Sequence, residues 1–283
     1  MSLDGVIRVL TSDDAIIWQS QAVLTWQGGD LRDPKLSICT DGQLLLTAGM
    51  RWSTPVNARE TIYSLGFLFD ADKQAWQEPM VDAMGKATWR WAPTWNVDAA
   101  YAVGYAGRDR QGCLYQSKDG LRWRVHVAPF FPSSSVFTNE SSLAFDVDDM
   151  AYCLTRRDAA RGAVALLGSA QPPYENWHWR KTNTVLGGPK LLRLSNGEWI
   201  AAFRKINYRR GTARTLIQKL DVKTARFKPW LSLPSGGDTS YPGLVESGGR
   251  LLVSYYSSHE GHQVRIYLAD IPLRFKKRSR RFG

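Results

Sequence analysis

The segment L-L-R-L-S-N-G-E-W-I-A-A-F (191–203) decides the fold. Two apolar runs flank Asn196-Gly197, a pair suited to the positive φ angles of a tight hairpin turn. The same pattern returns along the chain. L-S-I-C-T-D-G-Q-L-L-L-T-A (36–48) turns on Asp-Gly, and G-L-V-E-S-G-G-R-L-L-V-S (243–254) turns on Gly-Gly. S-L-A-F-D-V-D-D-M-A-Y-C-L (142–154) is a weaker copy, and A-P-T-W-N-V-D-A-A-Y-A-V-G-Y (92–105) the weakest. The turns fall near residues 41, 98, 148, 196 and 248. A hairpin every fifty residues or so implies one four-stranded antiparallel sheet per repeat, and hence a β-propeller.

Outer strands are expected between the hairpins, at 63–70, 112–117, 163–169, 214–221 and 264–271. The N-terminus breaks the pattern: V-I-R-V-L-T-S (6–12) and W-Q-S-Q-A-V-L (18–24) read as an orphan outer pair. Five inner hairpins plus that pair allow two designs. One has five blades; the other has six, the first lacking its hairpin. The propeller is expected to occupy residues 1–273 as a single domain, followed by a basic tail, R-F-K-K-R-S-R-R-F-G (274–283).

Composition narrows the function classes. The 283 residues are 43% hydrophobic, enough for a substantial core, and include 12 Trp, 11 Tyr and 10 Phe. No apolar run reaches the length of a membrane-spanning helix. The start lacks the basic-then-apolar layout of a secretory signal. Cys39, Cys113 and Cys153 are single and widely spaced, which argues against a disulfide framework and for reduced thiols in a cytoplasmic protein. The net charge of +11 gathers partly in the tail, and no nucleic-acid motif accompanies it. No metal-ligand spacing and no Gly-rich nucleotide loop occur, so no cofactor is expected.

Two turns, S-K-D-G-L-R-W (117–123) and T-S-D-D-A-I-I-W (11–18), resemble the Asp-boxes of sialidase blades. N-E-S-S-L-A-F-D-V-D-D-M-A-Y-C-L-T-R (139–156) is similar to the sialidase segment in which a glutamate opens an inner strand and an arginine closes its partner. S-Y-P-G-L-V-E-S-G-G-R-L-L-V-S-Y-Y (240–256) resembles the hairpin that bears the nucleophilic tyrosine. D-L-R-D-P-K-L (30–36) looks like the Asp-Pro start of a second blade, and R-T-L-I-Q-K-L (214–220) sits where a further arginine precedes a third strand. The resemblance therefore implies a sialidase-like glycoside hydrolase with Tyr241 as nucleophile, Glu140 as its base, and Arg156 and Arg214 as substrate-binding arginines. The hairpin carrying F-R-I-P in sialidases has no counterpart here, which leaves Asp4 as the residue nearest the position of the acid/base aspartate.

That assignment is chemically coherent. A tyrosine attacks where a carboxylate would be repelled by an anionic substrate, and the neighbouring glutamate takes its proton. Sialidases depart from the two-carboxylate rule for glycosidases in this way. Arginines suit a substrate carboxylate because they bind it in bidentate fashion. In a propeller, first-strand starts and second-strand ends meet on one face. Arg32, Asp33, Glu140, Asp238 and Tyr241 lie at the starts, and Arg156, Arg204, His259 and Glu260 at the ends. The expected partner is a carbohydrate, namely an acidic or carboxylate-bearing terminal sugar. A non-catalytic glycan- or protein-binding propeller and a uronate lyase using Tyr and His are the alternatives.

Overall fold

A computed structural model describes residues 5–52, 61–109, 111–133, 138–158 and 163–273. The structure is all-β, a five-bladed β-propeller of small antiparallel sheets, and its residues group into two compact units that meet in sequence at Asn139 and Glu140.

The first unit opens with β1 (Ile7–Thr11) and β2 (Gln19–Leu24), paired as a two-stranded sheet. Blade 1 comprises β3 (Gly29–Ile38), β4 (Leu44–Trp52), β5 (Ile62–Asp70) and β6 (Ala75–Trp76). Blade 2 comprises β7 (Trp89–Arg90), β8 (Thr94–Trp95), β9 (Ala100–Tyr105), β10 (Cys113–Ser117) and β11 (Arg124–Val127). The second unit carries blade 3, with β12 (Thr138–Phe145), β13 (Ala151–Arg157), β14 (Leu166–Ala170) and β15 (His178–Lys181). Blade 4 has β16 (Gly187–Arg193), β17 (Trp199–Asn207), β18 (Thr212–Asp221) and β19 (Arg226–Ser232). Among the described residues blade 5 has three strands, β20 (Ser240–Ser247), β21 (Arg250–Ser257) and β22 (Arg265–Pro272).

All five inner hairpins fall where the turn residues place them, and all five outer strands follow. Two expectations change. The orphan pair belongs to no sixth blade: Ile7, Val9 and Leu24 pack on Leu46, Ala48, Met50 and Phe67 of blade 1. The inner strand of blade 2 is divided into β7 and β8, because Pro93 between them has no N–H to donate to β9. Asp4 and the basic tail lie outside the described residues.

Alternation along β17 shows how the cores form. Trp199, Ala201 and Phe203 join one cluster with Leu154, Leu167 and Leu191, whereas Ile200 and Ala202 join another with Leu244, Leu251 and Val253. Successive strand residues point to opposite faces, so blade 4 is apolar on both.

The two Asp-box-like turns close alike. Asp119 Oδ1 accepts from the amides of Leu121 (2.9 Å) and Arg122 (2.7 Å), and Trp123 Nε1 donates to the Gly120 carbonyl at 2.9 Å. Asp14 Oδ1 accepts from Ile16 and Ile17, both at 2.8 Å, and Trp18 Nε1 donates to the Ala15 carbonyl. Trp177 repeats the indole bond in blade 3, to the Tyr174 carbonyl, without an aspartate. Ala15, Gly120 and Tyr174 all have positive φ.

Three inner strands share a further device. Asp33-Pro34, Gly188-Pro189 and Tyr241-Pro242 each form a bulge in which the residue before proline has positive φ (53°, 55° and 48°). The sequence signal is x-Pro-x-Leu at 33–36, 188–191 and 241–244. A bulge re-aims the side chain it carries.

Candidate functional site

In the second unit, Glu140 lies near the start of β12 with its side chain 4% exposed. Tyr241 Oη donates to Glu140 Oε1 at 2.7 Å. Arg156 Nη1, from the end of β13, reaches both carboxylate oxygens at 2.9 and 3.0 Å, and its Nε donates to Asp158 at 2.7 Å. Burial opposes the Arg156 charge, but Glu140 and Asp158 outweigh it and raise the guanidinium pKa. The buried carboxylate is thus charge-compensated and hydrogen-bonded on both oxygens, as a buried charge requires.

Tyr241 owes its position to the bulge between Ser240 and Gly243 and to its own positive φ, an uncommon conformation for an aromatic residue. Gly188 gives it room. A Cβ there would stand 2.6 Å from Ser240 Oγ and 2.7 Å from Tyr241 Cε1. The Tyr241 ring meets Tyr256 edge-on, centroids 5.9 Å apart, and Tyr256 Oη donates to Asp238 Oδ2 at 3.1 Å. Arg204 Nη1 holds the other oxygen of Asp238 at 2.6 Å. Arg204 Nε is buried and has no hydrogen-bond partner among the described residues. Arg156 and Arg204 both pass Gly187, where a Cβ would lie 3.5 Å from Arg204 Nε and 3.8 Å from Arg156 Cδ. A cleft at this point is lined by Arg156, Arg157, Asp158, Gly187, Arg204 and Tyr208.

Of the residues expected from sequence, the structure brings Glu140, Tyr241 and Arg156 into direct contact, and joins Arg204 to Asp238 beside them. The remaining expected residues have partners of their own. Arg214 is exposed on β18, directly opposite Lys205, because the β17–β18 register places Thr215 rather than Arg214 across from Arg204. His259 is bonded to Ser257 Oγ and lies against the Tyr267 ring at 4.3 Å. Glu260 accepts from the Tyr267 hydroxyl at 3.2 Å. In the first unit, Arg32 is ion-paired to the buried Asp30, and Asp33 follows at the bulge. Asp158, Gly187 and Gly188 had no signal in the hairpin pattern; the x-Pro-x-Leu repeat would have exposed Gly188. Among the described residues, no group of three or more His, Cys, Asp or Glu side chains is placed to hold a metal. No helix among them is long and apolar enough to cross a membrane.

The five-bladed propeller fold recurs in solved structures. The α-L-arabinanase of Penicillium chrysogenum, solved with arabinobiose, is 14% identical, with 95% of this chain and 86% of that one covered and a TM-score of 0.64. The endo-arabinase of Bacteroides thetaiotaomicron is 14% identical over 87% of this chain and 95% of that one, at a TM-score of 0.56. A protein of unknown function from Dyadobacter fermentans is 19% identical over 94% and 84% of the two chains, at 0.76. No protein-family model and no curated protein sequence matches the chain. Both enzymes are arabinanases, so the likeness shows a propeller fold and does not support the sialidase superfamily that the sequence motifs resemble.

Proposed function

We propose that this protein is a glycoside hydrolase acting on a terminal sugar that bears a carboxylate. The observation that carries the reading is the 2.7 Å bond from Tyr241 Oη to the buried Glu140 carboxylate. A phenol has an ordinary pKa near 10 and needs a base to become a nucleophile at neutral pH, and Glu140 is within direct proton-transfer range. Tyr241 Oη attacks the anomeric carbon as its proton passes to Glu140 and the bond to the leaving oxygen breaks. Water then displaces Tyr241, so configuration is retained. The leaving oxygen takes its proton from solvent. In the second displacement Tyr241 recovers its proton from Glu140. Asp238, held as a carboxylate by Arg204 and Tyr256 and open to solvent, is assigned to accept the proton of the attacking water. The unpartnered Arg204 Nε supports an anionic substrate, because a ligand carboxylate would satisfy a buried donor that is otherwise costly to leave unmade.

The test is a panel of aryl glycosides of acidic and neutral sugars. Acidic members are expected to turn over, with kcat reduced about 10²–10⁴-fold in Glu140→Gln and at least as far in Tyr241→Phe. Turnover unchanged in Tyr241→Phe, or binding without turnover across the panel, overturns the proposal.

A further inference from the structure

The β17–β18 hairpin ends in R-K-I-N-Y-R-R-G-T-A-R (204–214), a stretch with five basic residues and no acid. Arg204 is engaged with Asp238. The other four, Lys205, Arg209, Arg210 and Arg214, are exposed. Among the described residues none of these four has a carboxylate within ion-pair distance. Lys205 and Arg214 are direct cross-strand partners and so project from the same face. Like charges opposite one another destabilise an antiparallel pair, and the two arginines of the turn add to the same positive field. At its other end the hairpin is ordinary, with Lys219 ion-paired to Glu198. The unbalanced charge is therefore confined to the end nearest the cleft.

These side chains border a groove of about 580 Å³ lined by Lys205, Ile206, Tyr208, Arg209, Arg210 and Arg214. That volume falls within the range of small-ligand sites. Ile206 and Tyr208 also line the cleft at Arg156 and Arg204. Groove and cleft thus share a wall, so a molecule lying in the groove reaches the mouth of the cleft. Tyr208, half exposed, offers an aromatic surface for a sugar ring beside the cations.

We infer that this basic hairpin is an extended subsite for an anionic oligosaccharide, its cations taking carboxylate or sulfate groups on sugars beyond the one that is cleaved. The inference rests on the carbohydrate reading of the adjoining site and narrows the substrate from an acidic terminal sugar to the end of a polyanionic chain. Lys205 and Arg214, separated from the turn by about three strand residues or roughly 10 Å, engage a different sugar unit from that met by Arg209 and Arg210.

The experiment is calorimetric titration of the full chain with oligogalacturonate hexamers (carboxylate only), heparin-derived hexasaccharides (carboxylate and sulfate) and neutral cellohexaose. At least one anionic hexamer is expected to bind tenfold or more tighter than cellohexaose, with an affinity that falls as sodium chloride rises. The two anionic arms separate carboxylate from sulfate recognition. Lys205→Glu/Arg214→Glu and Arg209→Glu/Arg210→Glu should each weaken the anionic hexamer at least tenfold, with circular dichroism unchanged. Lys205→Gln/Arg214→Gln should give a smaller loss. Loss of glycoside turnover as a property, with charge-dependent hexamer binding intact, removes the hydrolase reading and leaves the subsite. Equal binding of charged and neutral hexamers, indifference to charge reversal, or tighter binding of a single-stranded oligodeoxynucleotide than of either anionic hexamer overturns the subsite.

Discussion

Gly188→Ala tests how the second unit positions Tyr241, and Gly211→Ala supplies its control. Both glycines have left-handed backbones, φ 55° and 61°, so an alanine at either meets a conformational cost of about 1–2 kcal/mol. They differ in surroundings. Nothing stands within 4 Å of a Cβ at 211, whereas at 188 it would sit 2.6 Å from Ser240 Oγ and 2.7 Å from Tyr241 Cε1. Carbon atoms in good contact stand roughly 3.5–4.0 Å apart, so the Tyr241 ring must retreat by about 1 Å. Overpacking of this kind adds about 1–3 kcal/mol. Denaturant titration is therefore expected to show a loss of about 2–5 kcal/mol for Gly188→Ala and about 1–2 kcal/mol for Gly211→Ala. The same retreat pulls the phenol from Glu140, and a misplacement of about 1 Å can lower kcat about 10²-fold. Equal stability of the two variants, or a Gly188→Ala protein with full turnover, refutes the reasoning.

Two further substitutions probe the first unit. Asp82→Ala strands the Arg90 guanidinium, which is 7% exposed and bonded to Asp82 at 2.8 Å; urea unfolding should show a loss of about 3–5 kcal/mol. A loss below about 1 kcal/mol would mean the pair is dispensable. Asp119 has a lowered pKa: burial opposes the charge, but amide bonds from Arg122 and Leu121 outweigh it. A depressed folded-state value stabilises the protein above the ordinary aspartate pKa near 3.9, and that stability is lost as pH falls through the folded value. Thermal melts of Asp119→Asn should accordingly fall less steeply below about pH 4 than those of the unsubstituted protein; parallel acid limbs would contradict the turn's role.

The fold was legible because its signals are local. Asp41-Gly42, Asn196-Gly197 and Gly248-Gly249 each close a hairpin within a dozen residues, and their recurrence alone implies blades. Where the signal was not local, the reading drifted. The orphan pair near the N-terminus was assigned by strand order, but its apolar residues Ile7 and Val9 settle on blade 1. The candidate site divides in the same way. Glu140 and Tyr241 are 101 residues apart, and only the equivalence of blades brought them together on paper. Arg204 and Arg214 could not be separated without the β17–β18 register, since a strand shift of one residue exchanges faces. Asp158 gave no signal because it follows β13, outside the hairpin pattern, where it accepts from Arg156. The contacts of His259 were not legible for a related reason: the end of a strand fixes where a side chain starts, and here the ring lies against Tyr267.

The central claim is that Tyr241 is the nucleophile, and the most direct test is the mass of its peptide. The protein is incubated with an activated acidic glycosyl fluoride carrying a second, ring fluorine that slows breakdown of the intermediate, then quenched and digested. The account predicts that the peptide containing Tyr241 gains the mass of one glycosyl residue, and that Tyr241→Phe yields no adduct. An adduct on any other residue, or steady turnover by Tyr241→Phe, would contradict it.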